Sequence, residues 1–333
     1  MKNFKILNKK NLLDNLQHFQ SKKICAMVKS NAYGHGFKEI VALLRDKVDC
    51  FGVVNFEEGQ FVRSLTDKPI LICGKTQDFG NCKRYNLEFM IDSLEDLILA
   101  QRCEAQDLCH LKINCGMNRF GVKTIAEVKK IDNFLKLHRI QLKSICTHFP
   151  CTSDKEQTKN NYRKFLELRR YISQKLPICF GGSNIIDYPF DFDMIRAGIG
   201  LYGYEGTDLK PVMSIKSYIC KIFQAESGET IGYDGFFKVK KKGVYGVVPV
   251  GYGDGLPRAI AEKFDVLING KSYHAVGKIC MDAFFVCIDK SVNAGDEVVV
   301  MSNAQTFADK INTISYEILT NFSKIRAETK IEQ

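Results

Sequence analysis

The chain has 333 residues, of which 45% are hydrophobic and 26% are charged, as in an ordinary globular protein. No run approaches the roughly 18 apolar residues of a membrane span. The N-terminal segment has neither the apolar core nor the cleavage site of a signal peptide. These features argue against a helical membrane protein and predict one or two domains.

The net charge of +10 raises the question of nucleic-acid binding, which requires a cluster of basic residues. The only dense run, Lys238 to Lys242, precedes a predicted strand and is interpreted as a solvated turn. A mildly positive surface would also attract an anionic cofactor and an amino-acid carboxylate. Thirteen cysteines, mostly in apolar runs and without a CxxC pair, predict reduced thiols in the cytoplasm.

Short apolar strands alternate with helical stretches over the first 200 residues. The predicted strands are Ile24–Lys29, Cys50–Val54, Pro69–Cys73, Leu87–Ile91, Cys109–Asn114, Gln141–His148, Ile178–Gly182 and Met194–Arg196. The clearest predicted helices are Phe37–Asp46, Phe56–Leu65, Ser93–Arg102, Thr124–Leu137 and Lys155–Gln174. Eight buried strands in alternation with helices predict an α/β fold with a TIM-like (β/α)8 barrel over residues 1–210.

After about Lys210 the pattern changes to strands with short connections. These strands are Val212–Phe223, Gly243–Val250, Phe264–Ile268, Lys271–Ile279, Ala283–Ile288 and Glu297–Met301. Asn269-Gly270 is a strong hairpin signal, and helical material follows from Ala304 to about Asn321. Residues 211–333 are therefore predicted to form a mainly β domain, joined to the barrel at a tight seam near Tyr204–Pro211.

Lys29 ends the first predicted strand and is followed by a small polar loop, in the run VKSNAYGHG that begins at Val28. The carboxyl ends of barrel strands face the catalytic mouth. A lysine that is partly desolvated there has a lowered pKa, and its neutral amine can form a Schiff base. The alternative for a lone lysine is a side chain that extends into solvent.

Three further stretches leave predicted strands with polar residues. Arg119 lies in the glycine-bounded turn GMNRFG, where a fixed guanidinium suits a carboxylate, although a surface arginine is the alternative. His148 ends the sixth strand, where a histidine is more often a satisfied core residue. Ser183 follows two glycines in a small turn whose N–H groups suit a phosphate.

The runs VKSNAYGHG, GMNRFG, RAGIGLYG, GYGDG and GKICMD occur in this order and at fitting intervals. Together they resemble the alanine racemases, and the resemblance extends from about Lys22 to Tyr316. It implies an isomerase that interconverts L- and D-alanine with pyridoxal 5'-phosphate and supplies D-alanine for peptidoglycan. It also implies a homodimer with composite active sites. Lys29 would carry the cofactor as a Schiff base (aldimine) and serve the D-face of Cα, and Tyr233 of the other subunit would serve the L-face.

The resemblance also assigns the remaining site residues. The cofactor contacts are Tyr33, His148, Ser183, Arg196, Gly198, Ile199 and Tyr316, with Arg196 at the pyridine nitrogen. The substrate carboxylate contacts are Arg119 and the backbone N–H of Met281. The supporting residues are Lys112, Tyr252, Arg258 and Asp282, and in some family members the lysine at the position of Lys112 is carbamylated and orients the arginine. No metal is implied. This chain reverses the family's usual Asn-Ser order at Ser183-Asn184, and it has Lys278 and Ala283 where the family usually has Arg and Gln.

Three alternatives remain open at this point. One is a racemase of the same fold that acts on serine or several amino acids. Another is a basic amino-acid decarboxylase, although an Arg119 that grips the α-carboxylate argues against its loss. The third is a non-catalytic protein that binds pyridoxal phosphate, in which Tyr233 and the GYGDG and GKICMD runs would have no role.

Overall fold

The computed structural model describes residues 1–333 and contains a closed barrel of eight parallel strands. Barrel strands 1 to 8 are Lys23–Met27, Cys50–Val53, Ile70–Ile72, Glu88–Ile91, Cys109–Lys112, Ser144–His148, Ile178–Gly181 and Met194–Ala197. Strand 1 pairs with strand 8, which closes the ring. The predicted α/β barrel is confirmed, because all eight apolar runs form parallel strands with mainly buried side chains.

Helices connect the barrel strands, and several begin at side-chain caps. The helices of the first 170 residues are Lys9–Gln17, Phe37–Leu44, Phe56–Arg63, Phe79–Arg84, Leu94–Arg102, Ile125–His138 and Lys155–Arg169. The side chains of Asn55, Ser93, Thr124 and Asp154 each accept a hydrogen bond from a backbone N–H of the first turn. The helices Lys9–Gln17 and Phe79–Arg84 were not predicted, and the latter, with six residues, is too short to give a periodic pattern.

The second part of the fold is a nine-stranded sheet, referred to below as the second sheet. Its strands are Phe4–Asn8, Met213–Tyr218, Lys221–Ala225, Gly243–Val248, Asp265–Ile268, Lys271–Val276, Phe284–Ile288, Glu297–Met301 and Glu328–Glu332. Thr230–Ile231 and Phe237–Lys238 form a separate two-stranded ribbon. The predicted hairpin turn at Asn269-Gly270 is present, with both residues at positive φ.

The N-terminal strand Phe4–Asn8 belongs to this second sheet and not to the barrel. It pairs antiparallel with Met213–Tyr218 and parallel with the C-terminal strand Glu328–Glu332. Neither terminal strand was predicted. The predicted strand Val212–Phe223 is in fact two strands, interrupted at residues 219–220.

The two sheets share one continuous apolar core, which includes Ile24 of the barrel and Val298 of the second sheet. Two C-terminal helices, Ala304–Ile311 and Ser315–Asn321, complete the chain's helical content. The second of them packs so closely on the loop after Lys29 that a side chain at Gly34 would collide with the carbonyl of Leu319. None of the helices is both long and apolar enough to cross a bilayer.

Candidate active site

The loop after barrel strand 1 has an unusual backbone. Ser30, Asn31, Ala32 and Tyr33 are consecutive left-handed residues, with φ between 53° and 54°. Such a conformation costs about 1–2 kcal/mol for each non-glycine residue. The Glu58 carboxylate compensates in part, since it accepts hydrogen bonds from the N–H groups of Ser30 (2.7 Å) and Val54 (2.9 Å). This turn fixes Lys29 and Tyr33 at the mouth of the barrel.

A cavity of about 430 Å³ lies at this mouth, where the carboxyl ends of the barrel strands meet. Ten predicted site residues line it: Lys29, Tyr33, Lys112, Arg119, His148, Ser183, Arg196, Gly198, Ile199 and Tyr316. These residues span nearly 290 positions of the sequence; the closed barrel brings most of them together, and the helix Ser315–Asn321 adds Tyr316.

One end of the cavity is a cradle of hydroxyl and backbone N–H groups. The Ser183 hydroxyl accepts hydrogen bonds from the N–H groups of Gly198 (3.1 Å) and Gly200 (3.0 Å). A Cβ atom at Gly198 would lie 2.6 Å from the Tyr33 hydroxyl, so only glycine fits there. The ring of Tyr316 lies 5.9 Å from that of Tyr33. Small groups and hydroxyls in this arrangement suit a phosphate.

Four basic side chains, Lys29, Lys112, Arg119 and Arg196, surround the cavity. Burial lowers the pKa of Lys29, and Arg119 and Arg196 add to that effect. Burial, together with the charge of Arg196, lowers the pKa of Lys112 to about 7. Burial and the same cations hold the pKa of His148 well below its usual value, so its imidazole is neutral. The site therefore attracts anions and contains amines that can lose their protons.

Arg196 is buried at the floor of the cavity. Its Nη1 donates to the carbonyl of Cys179 (3.0 Å) and its Nη2 donates to the carbonyl of Thr147 (2.5 Å). A side chain at Gly181 would collide with both this guanidinium and the ring of His148. The guanidinium is thus held in one orientation by the backbone of two neighbouring strands.

The other predicted site residues lie on the two-stranded ribbon or on loops of the second sheet, and they do not line this cavity. Tyr233 is 63% exposed and Met281 is 54% exposed. The N–H groups of Tyr252 and Gly253 donate to the carbonyls of Cys280 (3.0 Å) and Met281 (2.9 Å), which fastens the GYGDG loop to the GKICMD loop. The structure of one chain therefore divides the predicted residues into a cavity group and an exposed group.

The supporting residues Arg258 and Asp282 belong to the exposed group. The Arg258 guanidinium lies 5.7 Å from the centre of the Tyr252 ring. The Asp282 carboxylate accepts from the Arg326 guanidinium at 2.8 Å.

Comparison with known proteins identifies the chain's relatives. Residues 8–206 match the family model "Alanine racemase, N-terminal domain", and residues 212–330 match "Alanine racemase, C-terminal domain". The chain belongs to the alanine racemase family.

Individual relatives align with nearly the whole length of this chain. The alanine racemase of Borreliella burgdorferi is 32% identical, with 96% of this chain and 94% of that protein covered. The alanine racemase of Carboxydothermus hydrogenoformans is 31% identical, with 93% and 95% covered. The solved alanine racemase of Clostridium difficile 630 superimposes with a TM-score of 0.90 at 30% identity, covering 99% of this chain and 96% of that one.

The predicted activity is confirmed by these relatives. Like other members of the alanine racemase family, the protein is an isomerase that interconverts L-alanine and D-alanine, and this reaction supplies D-alanine for peptidoglycan. The decarboxylase and the non-catalytic binding protein, which remained open from the sequence, are thereby set aside.

The structure of this family member adds residues that the sequence did not single out. Cys73, Met90 and Met117 also line the cavity. Cys73 could have been identified from the sequence, because it ends a predicted barrel strand. Arg326 lies outside every motif, yet it donates twice to the buried carboxylate of Asp254 (2.8 Å each) and so anchors the GYGDG loop.

Proposed function

We propose that the chain racemises alanine with pyridoxal 5'-phosphate bound at Lys29, and that a second copy of the chain completes each active site. The observation that carries this proposal is the cavity itself. It combines a half-buried lysine of lowered pKa, a cradle for a phosphate and a fixed arginine. Relatives of the family are generally dependent on this cofactor.

The residues of the cavity fit this cofactor. A volume of about 430 Å³ accommodates a pyridine ring with its phosphate and a small amino acid. Ser183, Tyr33, Tyr316 and the backbone at Gly198 and Ile199 would hold the phosphate. Neutral His148 would lie beside the ring, and Arg196 would face the ring nitrogen. The basic surroundings match the negative charge of both phosphate and substrate carboxylate.

When bound, the cofactor supplies an electron-withdrawing ring that delocalises the negative charge left at Cα after deprotonation. Lys29 removes or returns a proton on the D-face of Cα, for which its lowered pKa favours the neutral amine. The Tyr233 hydroxyl does the same on the opposite, L-face. Arg119 and the N–H of Met281 hold the carboxylate, so that Cα stays between the two groups. Racemisation requires one group to take a proton and the other to give one.

The exposed group of residues supports a homodimer with shared sites. Tyr233 is exposed at the turn of the two-stranded ribbon and Met281 on a loop of the second sheet, whereas Lys29 lies in the barrel mouth. In a head-to-tail dimer, the second sheet of one subunit closes the barrel mouth of the other, and symmetry makes two equivalent sites. Most of the thirteen cysteines are buried free thiols, which suits the reducing cytoplasm as the place of action.

The direct test of this proposal is a spectrum of the purified protein followed by assays on D-alanine, L-alanine and L-serine. We expect the absorbance of a lysine-bound cofactor and racemisation of both alanine enantiomers. Racemisation without that absorbance would overturn the cofactor proposal. Equal rates for serine and alanine would identify a racemase of broader specificity.

The substitution Arg196→Glu is expected to increase transamination relative to racemisation. An arginine keeps its own proton and therefore leaves the ring nitrogen unprotonated. A glutamate at this position would instead stabilise a protonated ring nitrogen. The carbanion at Cα would then live longer and be reprotonated at wrong positions more often. We expect a long-wavelength absorption band during turnover and a higher ratio of pyruvate to racemised alanine. Arg196→Lys, which retains the positive charge, is the control and should show neither change.

Lys112 is expected to take up carbon dioxide as a carbamate that orients Arg119. Its pKa of about 7 leaves the amine neutral above that pH, so carbamate should accumulate as pH rises through about 7 and be lost below it. Carbon-13 NMR under labelled carbon dioxide should give one carbamate signal per chain at pH about 8. The signal should be absent from Lys112→Gln; a spectrum without it in the unmodified protein contradicts the proposal.

A further inference from the structure

The left-handed turn Ser30–Tyr33 has a strained backbone. Its four residues include no glycine, yet all of them have φ between 53° and 54°. Lys29 directly precedes this turn and Tyr33 is its last residue, so the turn sets the position of both cavity residues. A conformation of this kind persists only where the surrounding structure holds it.

Part of this hold is internal to the turn and uses neutral groups. The N–H of Ala32 donates to the carbonyl of Val28 (2.6 Å), and the N–H of Gly34 donates to the carbonyl of Ser30 (3.0 Å). The His35 Nδ1 donates to the carbonyl of Ala32 at 3.0 Å. Burial lowers the pKa of His35 to about 3, so this imidazole is uncharged. These bonds leave the N–H of Ser30 and the carbonyl of Gly34 for partners outside the turn.

A carboxylate holds the start of the turn. Glu58 lies in the first turn of the helix Phe56–Arg63, and its Oε1 accepts from the N–H of Ser30 at 2.7 Å. Its Oε2 accepts from the N–H of Val54, directly after barrel strand 2, at 2.9 Å. The bond to Val54 alone would serve the start of the helix, much as a capping box does. The bond to Ser30 crosses 28 positions of the sequence and ties the turn to the neighbouring strand and helix.

A buried ammonium group holds the end of the turn. Lys5 lies on the strand Phe4–Asn8 of the second sheet and is only 6% exposed. Its Nζ donates to the carbonyl of Gly34 at 2.9 Å, which is the only hydrogen bond that this amine makes. Burial lowers the pKa of Lys5, and the negative charge of Glu39 opposes this shift. Because a lysine is rarely buried without a partner, the contact with Gly34 is the interaction that offsets the burial of this amine.

The two charges match the polarity of the turn. A helical turn leaves N–H groups free at its start and carbonyl groups free at its end, which favours an anion at the start and a cation at the end. Glu58 and Lys5 occupy these two places. Hydrogen bonds with one charged partner are roughly twice as strong as those between neutral groups. Since one side chain comes from a barrel helix and the other from the second sheet, both parts of the fold hold the turn.

We propose that Glu58 and Lys5 are positioning residues that clamp the two ends of the turn and thereby hold the Lys29 amine and the Tyr33 hydroxyl in the cavity. Neither Glu58 nor Lys5 lines the cavity, so both act through the turn. The consequence for catalysis rests on the function proposed above. The hold on the turn is a property of the chain and requires no bound cofactor.

The first test is hydrogen exchange of single backbone amides, measured by mass spectrometry on the full-length protein without cofactor. Glu58→Ala removes the acceptor of the Ser30 N–H, and Lys5→Met removes the donor to Gly34 while it keeps an apolar side chain in the buried position. We expect the amides of Ala32 and Gly34 to exchange about 10- to 10²-fold faster in both variants, as for the loss of one hydrogen bond to a charged group.

Matched controls distinguish the clamp from a general effect of charge or stability. Glu57→Ala removes the exposed carboxylate next to Glu58 in the same helical turn, and Lys2→Met removes an exposed lysine that pairs with Glu328. Both variants should exchange like the unmodified protein. The amide of Phe51, which donates to the carbonyl of Pro69 (2.9 Å) inside the barrel, reports unfolding of the barrel and should keep its rate in every variant.

The second test is steady-state kinetics of the loaded enzyme with both alanine enantiomers. A displacement of about 1 Å at a reacting group can cost about 10²-fold, so we expect kcat to fall about 10- to 10²-fold in each variant. KM should change little, because Arg119 lies on a different loop. Burial lowers the pKa of Lys29 and the charge of Glu58 opposes that shift, so Glu58→Ala changes both position and charge. Lys5 is not among the groups that shift this pKa, and Lys5→Met therefore tests position alone.

Each result decides the proposal. Unchanged exchange of the turn amides in a variant overturns the role of the substituted residue. Equal acceleration at Phe51 and in the turn would mean that the residue stabilises the whole fold, which also overturns the positioning role. If Glu58→Ala does not fold, Lys5→Met decides whether the turn is clamped.

The same measurements keep this inference apart from the proposed function. A loosened turn with an unchanged kcat would refute the positioning role and leave the proposed function intact. A protein in which Glu58 and Lys5 protect the turn, but which neither binds the cofactor nor racemises alanine, would refute the proposed function and leave the clamp in place.

Discussion

Replacement of Lys29 by alanine should reduce the rate of racemisation by more than the roughly 10²- to 10⁴-fold that loss of a single acid–base group causes. Two functions disappear together, because the amine would both carry the cofactor and transfer a proton on one face of Cα. Initial rates with D-alanine and L-alanine, measured at saturating cofactor, would quantify the loss.

The matched control is Lys23→Ala. Lys23 is the first residue of barrel strand 1, and Lys29 follows the end of the same strand. Lys23 is exposed at the amino end of the barrel and should contribute little to the rate. Borohydride reduction followed by peptide mapping gives an independent readout, since the cofactor should remain on the peptide that contains Lys29. A label on another lysine, or full activity of Lys29→Ala, would rule out the assignment.

The barrel could be predicted because its strands are short, apolar and buried on both faces. Prediction failed where the pattern depends on distant partners. Phe4–Asn8 and Glu328–Glu332 become strands through pairing with each other and, for the first, with Met213–Tyr218. Neither segment alternates clearly between apolar and polar residues, and no local signal indicates that the two ends of the chain meet.

Lys29, Arg119, His148 and Ser183 could be predicted because they follow or end barrel strands, whose carboxyl ends must converge once the barrel closes. The other predicted cavity residues, Tyr316 among them, were assigned by the resemblance to the alanine racemases. Arg326 could not be predicted, because its contact with Asp254 spans 72 positions and lies in no motif. The contact of Cys179 with Arg196 was hidden for a similar reason, because Cys179 looks like an ordinary core thiol in sequence and only the fold brings its Sγ to 3.1 Å from the guanidinium.

Mixing two inactive variants should restore activity if each active site contains residues from two subunits. Tyr233→Phe removes the second acid–base group and should cost roughly 10²- to 10⁴-fold, while Lys29→Ala removes the first. Tyr233 is an exposed side chain at the turn of the two-stranded ribbon and does not line the cavity that contains Lys29. In a heterodimer of the two variants, one site would carry both defects and the other would carry neither.

Activity after subunit exchange should therefore reach at most about half of the unmodified value per heterodimer, since symmetry gives two equivalent sites. Exchange must be verified separately, for example by native mass spectrometry of differently tagged subunits. The control mixes two differently tagged preparations of Lys29→Ala, and this mixture should stay inactive. If heterodimers form and no activity returns, Lys29 and Tyr233 of one site belong to the same chain. The exposed loops of the second sheet would then have to reach the barrel mouth of their own subunit by a movement of the second sheet, and the shared-site proposal would be wrong.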